Sequence, residues 1–130
     1  LKGFDVNFEL ITERAEEISL ESNSIDSVVC TYTLCSISNP QMALSEIRRV
    51  LKKDGKFIFT EHAASPDLKI NKFQKKIEPL WKVIADGCHL TRDIKTMLAE
   101  NGFSINNSED MYLPGTPKFI GYHIWGLLKK

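Results

Sequence analysis

Residues 25–61 read IDSVVCTYTLCSISNPQMALSEIRRVLKKDGKFIFTE, and this stretch decides the fold of the chain. It opens with a short apolar run, Ile25–Cys30, of the kind found in parallel strands that are covered on both faces. Asn39 then suits a helix N-cap, and Pro40 suits the first helical position, where a missing N–H costs nothing. Apolar residues follow at three- and four-residue intervals and predict a helix that buries one stripe: Ala43, Leu44, Ile47, Val50 and Leu51.

The end of this stretch predicts a second strand beside the first. Lys52-Lys53 suits a helix C-terminus, where the backbone dipole favours cations. Asp54-Gly55 is typical of a turn, and residues 56–61 are of β type. A strand, a helix and a strand of these lengths predict a right-handed βαβ unit. Ligands of open α/β sheets bind beyond the carboxyl ends of the strands, so we expect Thr31–Thr33 and Glu61-His62 on one rim.

The composition is that of one small globular domain without a charge-driven partner. The chain has 130 residues, of which 42% are hydrophobic and 26% charged. Seventeen basic residues balance seventeen acidic ones, so no net field attracts nucleic acid or an anionic membrane. Three cysteines without a CxxC pair predict free thiols in a reducing, cytoplasmic compartment. No apolar run approaches the roughly 20 residues of a membrane span.

The remaining segments predict three further strands and two helices. Residues 8–12 alternate like a short strand, residues 103–105 open another, and residues 119–128 alternate like a last one. Residues 68–84 carry apolar side chains at helical spacing, with a proline that should kink or split the helix. A further helix is predicted from Thr91, as N-cap, to about residue 100.

Six segments carry a resemblance to a known family: Ala15-Glu16, Asp26–Cys30, Glu46–Lys56, Glu61-His62, Pro79–Lys82 and Asp86–Arg92. The first four are similar to class I S-adenosylmethionine-dependent methyltransferases. The last two resemble the thiol- and lipid-associated branch called methyltransferase-like family 7, within the methyltransferase type 11 group. The likeness runs from about residue 8 to the end of the chain.

The resemblance implies a Rossmann-like α/β sheet of order 3-2-1-4-5-7-6 with strand 7 antiparallel. The seven glycines of this chain never fall at the GxG spacing of the family's cofactor turn. We therefore expect residues 1–130 to form a single partial domain, a truncated sheet of the family's strands 3-4-5-6-7 with flanking helices. Residues 25–31 would then be an exposed apolar edge, which predicts a homodimer, an exchange of segments or an N-terminal partner that completes the sheet.

Two functional hypotheses follow from the resemblance. The first is the C-terminal portion of a methyltransferase that uses S-adenosylmethionine and a small thiol, amine or lipid-like acceptor. The second is a non-catalytic methyltransferase-like module that acts in assembly or regulation and has no cofactor site of its own. The absent glycine turn favours the second for the isolated chain, and the family-like residues on the acceptor side favour the first for the full-length protein.

Four residues are expected at the cofactor. The resemblance implies that Ala15 and Glu16 lie beside the adenine, with Glu16 able to accept a hydrogen bond from its amine. It also implies that Thr31 and Tyr32 line the methionine part and the substrate mouth. The alternatives are a surface carboxylate beside a turn for Glu16 and plain loop packing for Thr31 and Tyr32.

Three residues are candidates for catalysis. His89 is the first choice, because imidazole titrates near neutral pH and can take a proton from a thiol or amine nucleophile. Glu61 and His62, at the end of the second strand, are further candidates for the base or for a substrate contact. The alternative for His89 is that it braces the helix expected at Thr91.

Other features of the sequence have simpler interpretations. Cys88 is near His89 and Glu61-His62 in the expected fold, yet no spacing resembles a zinc site, so we expect no metal. Five lysines put positive charge on one segment, which fits contact with a membrane surface, although a solvated helix face is the commoner case: Lys69, Lys72, Lys75, Lys76 and Lys82. Phe73, Trp81 and Trp125 fit either an apolar substrate pocket or the core.

Overall fold

The structure, a computed structural model, describes residues 7–130. Its elements, in chain order, are β1 (Ile25–Thr31), α1 (Pro40–Val50), β2 (Leu51–His62), α2 (Leu68–Ile84), α3 (Ile94–Glu100), a 3-10 turn (Ile105–Asn107), β3 (Ser108–Tyr112), α4 (Lys118–Gly121) and β4 (Tyr122–Lys129). The four strands form one sheet of order β1-β2-β4-β3. β1 pairs with β2 in parallel, whereas β4 is antiparallel to both β2 and β3. The predicted mixed α/β class, with an antiparallel last strand, is confirmed.

The strand–helix–strand unit forms as the sequence predicts, but β1 is not covered on both faces, because only Cys30 among its residues is buried. The Asn39 side chain caps α1 by accepting a hydrogen bond from the Met42 N–H at 3.1 Å, and Pro40 occupies the first turn. The apolar stripe of α1 is buried: Ala43, Leu44, Ile47 and Val50. Cys30 pairs with Phe59 in the parallel ladder, so the carboxyl ends of β1 and β2 lie side by side.

The turn expected at Asp54-Gly55 lies inside β2. The helix ends at Val50, so Lys52-Lys53 belongs to the strand and not to the helix end. Ile25 pairs with Leu51 and Ser27 with Lys56, so residues 52–55 form an irregularity opposite one residue of β1. A Cβ at Gly55 would lie 2.9 Å from a backbone oxygen, so this close approach requires glycine.

The strand predicted at residues 8–12 does not form, and residues 7–24 contain no strand. Phe8 and Leu10 are 91% and 83% exposed, so the alternating pattern has no sheet face on which to bury its apolar side chains. The prediction was wrong because alternation alone supplies no neighbouring strand for the backbone hydrogen bonds.

Two other strands begin later than predicted. The residues expected to open a strand at 103–105 instead place Phe103 in the core, with its ring centroid 5.2 Å from that of Phe57. β3 starts only after the 3-10 turn. The last strand starts at Tyr122 because residues 118–121 form a helical turn after Pro117.

α2 is one helix that continues through Pro79, so of the two predicted effects of this proline, a kink or a split, the split does not occur. Its apolar stripe is also less buried than expected. Only Gln74 of α2 is fully buried, whereas Leu80 and Ile84 are each 68% exposed. Phe73 and Trp81 make edge contacts with Phe119 of α4. α2 therefore packs against the end of the sheet through α4 and leaves much of its apolar surface open.

β1 lies at the edge of the described sheet, as the resemblance implied. Val29, in the middle of this strand, is 67% exposed. An apolar edge strand is a template for pairing with another strand. Among residues 7–130, no helix is long and apolar enough to cross a membrane.

Residues 13–22 are held against α1 by an ion pair. Glu46 accepts a hydrogen bond from the Ile18 N–H at 3.0 Å. Arg49 contacts Glu46 at 2.7 Å and donates to the carbonyls of Ile18 and Leu20 at 2.7 and 2.8 Å. The hydrogen bonds from Arg49 and from the Ile18 N–H lower the pKa of Glu46 to about 2.

We expect residues 13–22 to lose protection from α1 at acidic pH. The folded pKa of Glu46 lies below its ordinary value of 4.5, so this contact is complete above that value and is lost as the pH falls toward about 2. The measurement is the hydrogen-exchange protection factor of the Ile18 amide across this range. Glu46→Gln should reduce the protection at neutral pH and remove its pH dependence. Protection that does not change between neutral pH and about pH 3 would contradict the assignment.

Candidate functional site

The carboxyl ends of β1 and β2 and the start of β4 meet at one rim. His62 and His123 are directly opposite each other in the antiparallel ladder, and their ring centroids are 4.4 Å apart. Tyr32 follows β1 with a positive φ of 51° and donates its N–H to the Thr60 carbonyl at 2.9 Å. Its ring meets both imidazoles edge-on at 5.4 and 5.6 Å. A non-glycine residue in the left-handed region is strained, and such residues concentrate at functional sites.

Glu61 holds the loop that follows β1. It is completely buried, and its carboxylate accepts hydrogen bonds from the N–H groups of three consecutive residues: Thr33 at 2.9 Å, Leu34 at 3.1 Å and Cys35 at 3.0 Å. The Cys30 thiol lies 3.5 Å from the same carboxylate. These contacts indicate that the role of Glu61 is to position the loop after β1.

Two thiols and an imidazole lie together beneath this rim. The Sγ atoms of Cys35 and Cys88 are 3.5 Å apart, and His62 Nδ1 lies 3.1 Å from Cys88 Sγ. All three potential ligand atoms lie within 4.8 Å of one another. Both cysteines are buried, whereas His62 is half-buried and reaches the rim.

The three thiols of the chain have different electrostatic surroundings. The hydrogen bond between Cys35 and Cys88 raises the pKa of Cys35 and lowers that of Cys88, since one thiol stabilises the thiolate of the other. Arg92 adds to the lowering at Cys88. Burial and the neighbouring Glu61 raise the pKa of Cys30 to about 12. Cys88 is therefore the thiol that ionises first.

His123 is a buried neighbour of His62. Its Nδ1–H donates to the Gly121 carbonyl at 2.9 Å, and the ring is only 4% exposed. Burial lowers the pKa of His123, and the nearby His62 lowers it further. His123 is therefore a neutral imidazole at physiological pH.

His89 lies in a separate hydrogen-bond group. Its Nδ1 is 3.2 Å from Glu78, which also accepts hydrogen bonds from the N–H and hydroxyl of Thr91. Burial and the charge of Arg92 lower the pKa of His89, against the opposing effect of Glu78. These contacts agree with the bracing alternative for His89, although its catalytic assignment stays a prediction.

The helix predicted to start at Thr91 begins later. Asp93, and not Thr91, is the N-cap of α3, because its side chain accepts the Thr96 N–H at 3.1 Å. Arg92 does not pair with Asp93. It donates to the carbonyls of Leu34 and Ile37 and so ties the start of α3 to the loop after β1.

Ala15 and Glu16 lie near the N-terminus of α1. Glu16 is buried and accepts the N–H of Asn39, the cap of that helix, at 3.1 Å. Its other contact is Arg14 at 3.4 Å. The hydrogen bond from Asn39 lowers the pKa of Glu16. Within residues 7–130, no hydrogen bond joins Ala15 or Glu16 to the second predicted cofactor pair, Thr31 and Tyr32 at the end of β1.

Two residues at or beneath the rim were not among the sequence-based candidates. Cys35 lies in a loop that the sequence identifies only as a loop, and its partner Cys88 is 53 residues away. His123 lies in the last strand. The alternation of apolar residues there predicts a strand but does not show which residues of β2 it pairs with. The sequence already predicts that Glu61-His62 lies beside the loop after β1. A cysteine in that loop could therefore have been considered as a neighbour of His62.

Comparison with known proteins identifies the fold and the family. Residues 2–59 match the family described as "Methyltransferase domain". Thiol S-methyltransferase TMT1B of Rattus norvegicus is 40% identical over 108 residues, which are 82% of this chain and 44% of that protein. Thiol S-methyltransferase TMT1A of Homo sapiens is 37% identical with the same coverage. The chain thus spans less than half the length of these curated relatives.

Solved structures show the same fold at low sequence identity. A methyltransferase from Bacillus halodurans C-125 superposes with a TM-score of 0.72 at 16% identity, over 91% of this chain and 69% of that one. An S-adenosylmethionine-dependent methyltransferase from Methanosarcina mazei gives 0.63 at 16% identity, over 91% and 65%. These structures show the fold, whereas the family match and the sequence relatives show the family: the chain belongs to the class I S-adenosylmethionine-dependent methyltransferases.

Proposed function

We propose that this chain provides the acceptor side of an S-adenosylmethionine-dependent methyltransferase whose methyl acceptor is a thiol. The main observation in support is that Tyr32, His62 and Cys88 meet at the carboxyl ends of β1 and β2. Open α/β sheets bind their ligands at this edge. The names of the relatives with 37–40% identity, thiol S-methyltransferases, support a thiol over an amine or an alcohol.

The residues of the chain fit part of a cofactor cleft. Glu16 Oε1 accepts the hydrogen bonds from Arg14 and from the Asn39 N–H. Within residues 7–130, Glu16 Oε2 has no hydrogen-bond partner. This second oxygen can therefore accept a hydrogen bond from an adenine amine. Ala15 is the small neighbour of this position. Thr31 and Tyr32 are exposed at the end of β1 and suit the methionine end and the substrate mouth. When bound, S-adenosylmethionine supplies a methyl group on a sulfonium sulfur, activated for in-line displacement.

The contribution of this chain to the reaction is alignment and removal of a proton. A thiol reacts as its thiolate, so the acceptor must lose a proton before or during transfer. Of the three residues predicted to be catalytic, His62 is the best situated, because its ring is half-buried beside the exposed Tyr32. Glu61 acts as a positioning residue through the loop that carries Cys35. Precise placement of the acceptor sulfur in line with the methyl group lowers the barrier as well.

A matched set of acceptors tests the proposal. The full-length protein is incubated with tritium-labelled S-adenosylmethionine and thiophenol, aniline or phenol, which differ in the nucleophilic atom on the same ring. We expect labelled methyl transfer to thiophenol and none above background to the other two. Transfer to aniline or phenol at an equal rate would contradict a thiol acceptor.

Cofactor binding separates this function from the non-catalytic alternative. The absence of glycines at GxG spacing favours a module without its own cofactor site. Calorimetric titration with S-adenosylhomocysteine measures binding directly. Binding together with thiol methylation supports the enzyme, whereas no binding and no transfer to any acceptor would support the non-catalytic module.

A further inference from the structure

We propose that Cys35, His62 and Cys88 form a binding site for a zinc ion at the acceptor rim. The three side chains come from three different parts of the fold: the loop after β1, the end of β2 and the segment between α2 and α3. Their ligand atoms lie within 4.8 Å of one another. Two thiols and one imidazole form a soft donor set, which suits zinc and not magnesium or calcium.

The distances fit a tetrahedral ion. Zinc at about 2.3 Å from sulfur and about 2.0–2.1 Å from nitrogen separates two sulfurs by about 3.7 Å and sulfur from nitrogen by about 3.5 Å. The structure has 3.5 Å between Cys35 Sγ and Cys88 Sγ and 3.1 Å between Cys88 Sγ and His62 Nδ1. Outward movements of a few tenths of an ångström bring these two pairs to the distances of a zinc site, and the third pair, Cys35 Sγ and a His62 ring nitrogen, lies within 4.8 Å.

The backbone around the ligands is fixed by other contacts. Glu61 accepts the Cys35 N–H at 3.0 Å, and the Cys35 carbonyl accepts the His89 N–H at 2.7 Å. The second contact joins the loop of Cys35 directly to the segment of Cys88. A metal ion would thus find two of its ligands already held together, which reduces the ordering cost of binding.

The site has three protein ligands within the described residues, and this number indicates an open position. Structural zinc sites are closed by four protein ligands, whereas catalytic sites keep the fourth position for water or substrate. Cys35 and Cys88 are buried, so the open position is expected on the side of His62 and Tyr32, which reach the solvent.

The identity of the fourth ligand rests on the proposed function, in which the methyl acceptor is a thiol. An acceptor thiol would bind there as its thiolate and release its proton to the solvent, because a coordinating thiol is deprotonated outright. His62 would then serve as a ligand, and the metal ion would lower the pKa of the acceptor. A thiolate acceptor is itself a soft ligand, so it suits the same metal ion as the two cysteines and the histidine.

Metal binding is tested first, without any reference to activity. The reduced protein is titrated with Co²⁺, which has absorption bands that zinc lacks, and then with Zn²⁺. We expect one equivalent to bind, with a sulfur-to-cobalt charge-transfer band that zinc abolishes. Cys35→Ser and Cys88→Ser should each weaken binding at least about tenfold. Cys30→Ser is the matched control, because Cys30 is buried nearby but lies outside the cluster, and it should bind as the unchanged protein does.

The metal titration of the unsubstituted protein tests the proposal even if a variant fails to fold. No cobalt band and no bound zinc at micromolar concentrations would overturn the proposal, as would loss of binding in Cys30→Ser alone. A Cys35–Cys88 disulfide that persists under reducing conditions would also overturn it.

The occupant is tested with phenylmethanethiol, an alkyl thiol that is protonated at neutral pH, on the cobalt-loaded protein. A changed cobalt spectrum and the release of one proton per site would support thiolate coordination, whereas an unchanged spectrum would contradict it. Methylation of phenylmethanethiol that persists after complete removal of metal by a chelator would overturn the role of the ion while leaving the proposed function intact. Failure of methylation in the presence of a bound, thiol-responsive ion would count against the proposed function alone.

Discussion

Replacing Glu61 with alanine is expected to lower the free energy of unfolding by about 3–5 kcal/mol. The carboxylate is completely buried and accepts three consecutive backbone N–H groups. Its removal leaves those donors without a partner and opens a cavity beside the core. Each unsatisfied buried donor costs about 1–3 kcal/mol, and relaxation of the loop recovers part of the sum.

Urea unfolding followed by tryptophan fluorescence measures this effect. Glu61→Gln keeps the shape and one acceptor oxygen but turns an N–H donor toward the loop, so we expect a smaller loss than with alanine. Glu109→Ala, an exposed carboxylate in β3, is the control and should change the free energy by less than about 0.5 kcal/mol. A cost below about 1 kcal/mol for Glu61→Ala would show that the loop does not depend on this carboxylate.

The sequence predicts the central unit well because its signals are local. Asn39 and Pro40 mark the start of α1 within two residues, and the apolar stripe fixes which face is buried. Parallel pairing of the flanking strands then follows from the length of the connection. The rim at Tyr32 and His62 could be expected for the same reason, since it needs only the ends of two neighbouring strands.

The parts that the sequence did not predict depend on partners far along the chain. Residues 8–12 have the right alternation but no adjacent strand within the described residues. α2 has helical periodicity, yet packing against α4 leaves Leu80 and Ile84 exposed. The pairing of His62 with His123 requires the register of an antiparallel strand 61 residues later, which no local pattern contains.

The role of Glu61 shows a second limit of sequence reasoning. A carboxylate at the end of a strand beside a histidine is typical of acid–base chemistry, and it was assigned on that basis. Its backbone partners could not be known from side-chain types, since any residue supplies an N–H group. A titratable residue at the ligand-binding edge of a sheet can therefore position a loop and need not take part in acid–base chemistry.

Replacing His62 with alanine is expected to lower kcat/KM for thiol methylation by about 100- to 10,000-fold. The imidazole is the titratable group at the rim that is half-buried beside Tyr32 and within 3.1 Å of the Cys88 thiol. Either as a base or as a metal ligand, it promotes formation of the acceptor thiolate. Steady-state kinetics of the full-length protein with phenylmethanethiol, an alkyl thiol that is protonated at neutral pH, measure the loss, and urea unfolding verifies that the variant is folded. His62→Gln, which keeps a polar side chain but cannot titrate, should be similarly impaired.

The same substitution at His89 distinguishes the two histidines. His89 contacts Glu78, and burial together with Arg92 lowers its pKa, so it is mostly neutral at pH 7 whichever role it has. If it only braces the segment before α3, His89→Ala should reduce stability and change kcat/KM by less than about tenfold. A base at His89 would instead give a loss as large as that at His62 and an acidic limb of the pH profile below the ordinary imidazole pKa of about 6.5. Equal activity of His62→Ala and the unchanged protein would remove His62 from the reaction, because neither proton transfer nor metal ligation tolerates alanine at that position.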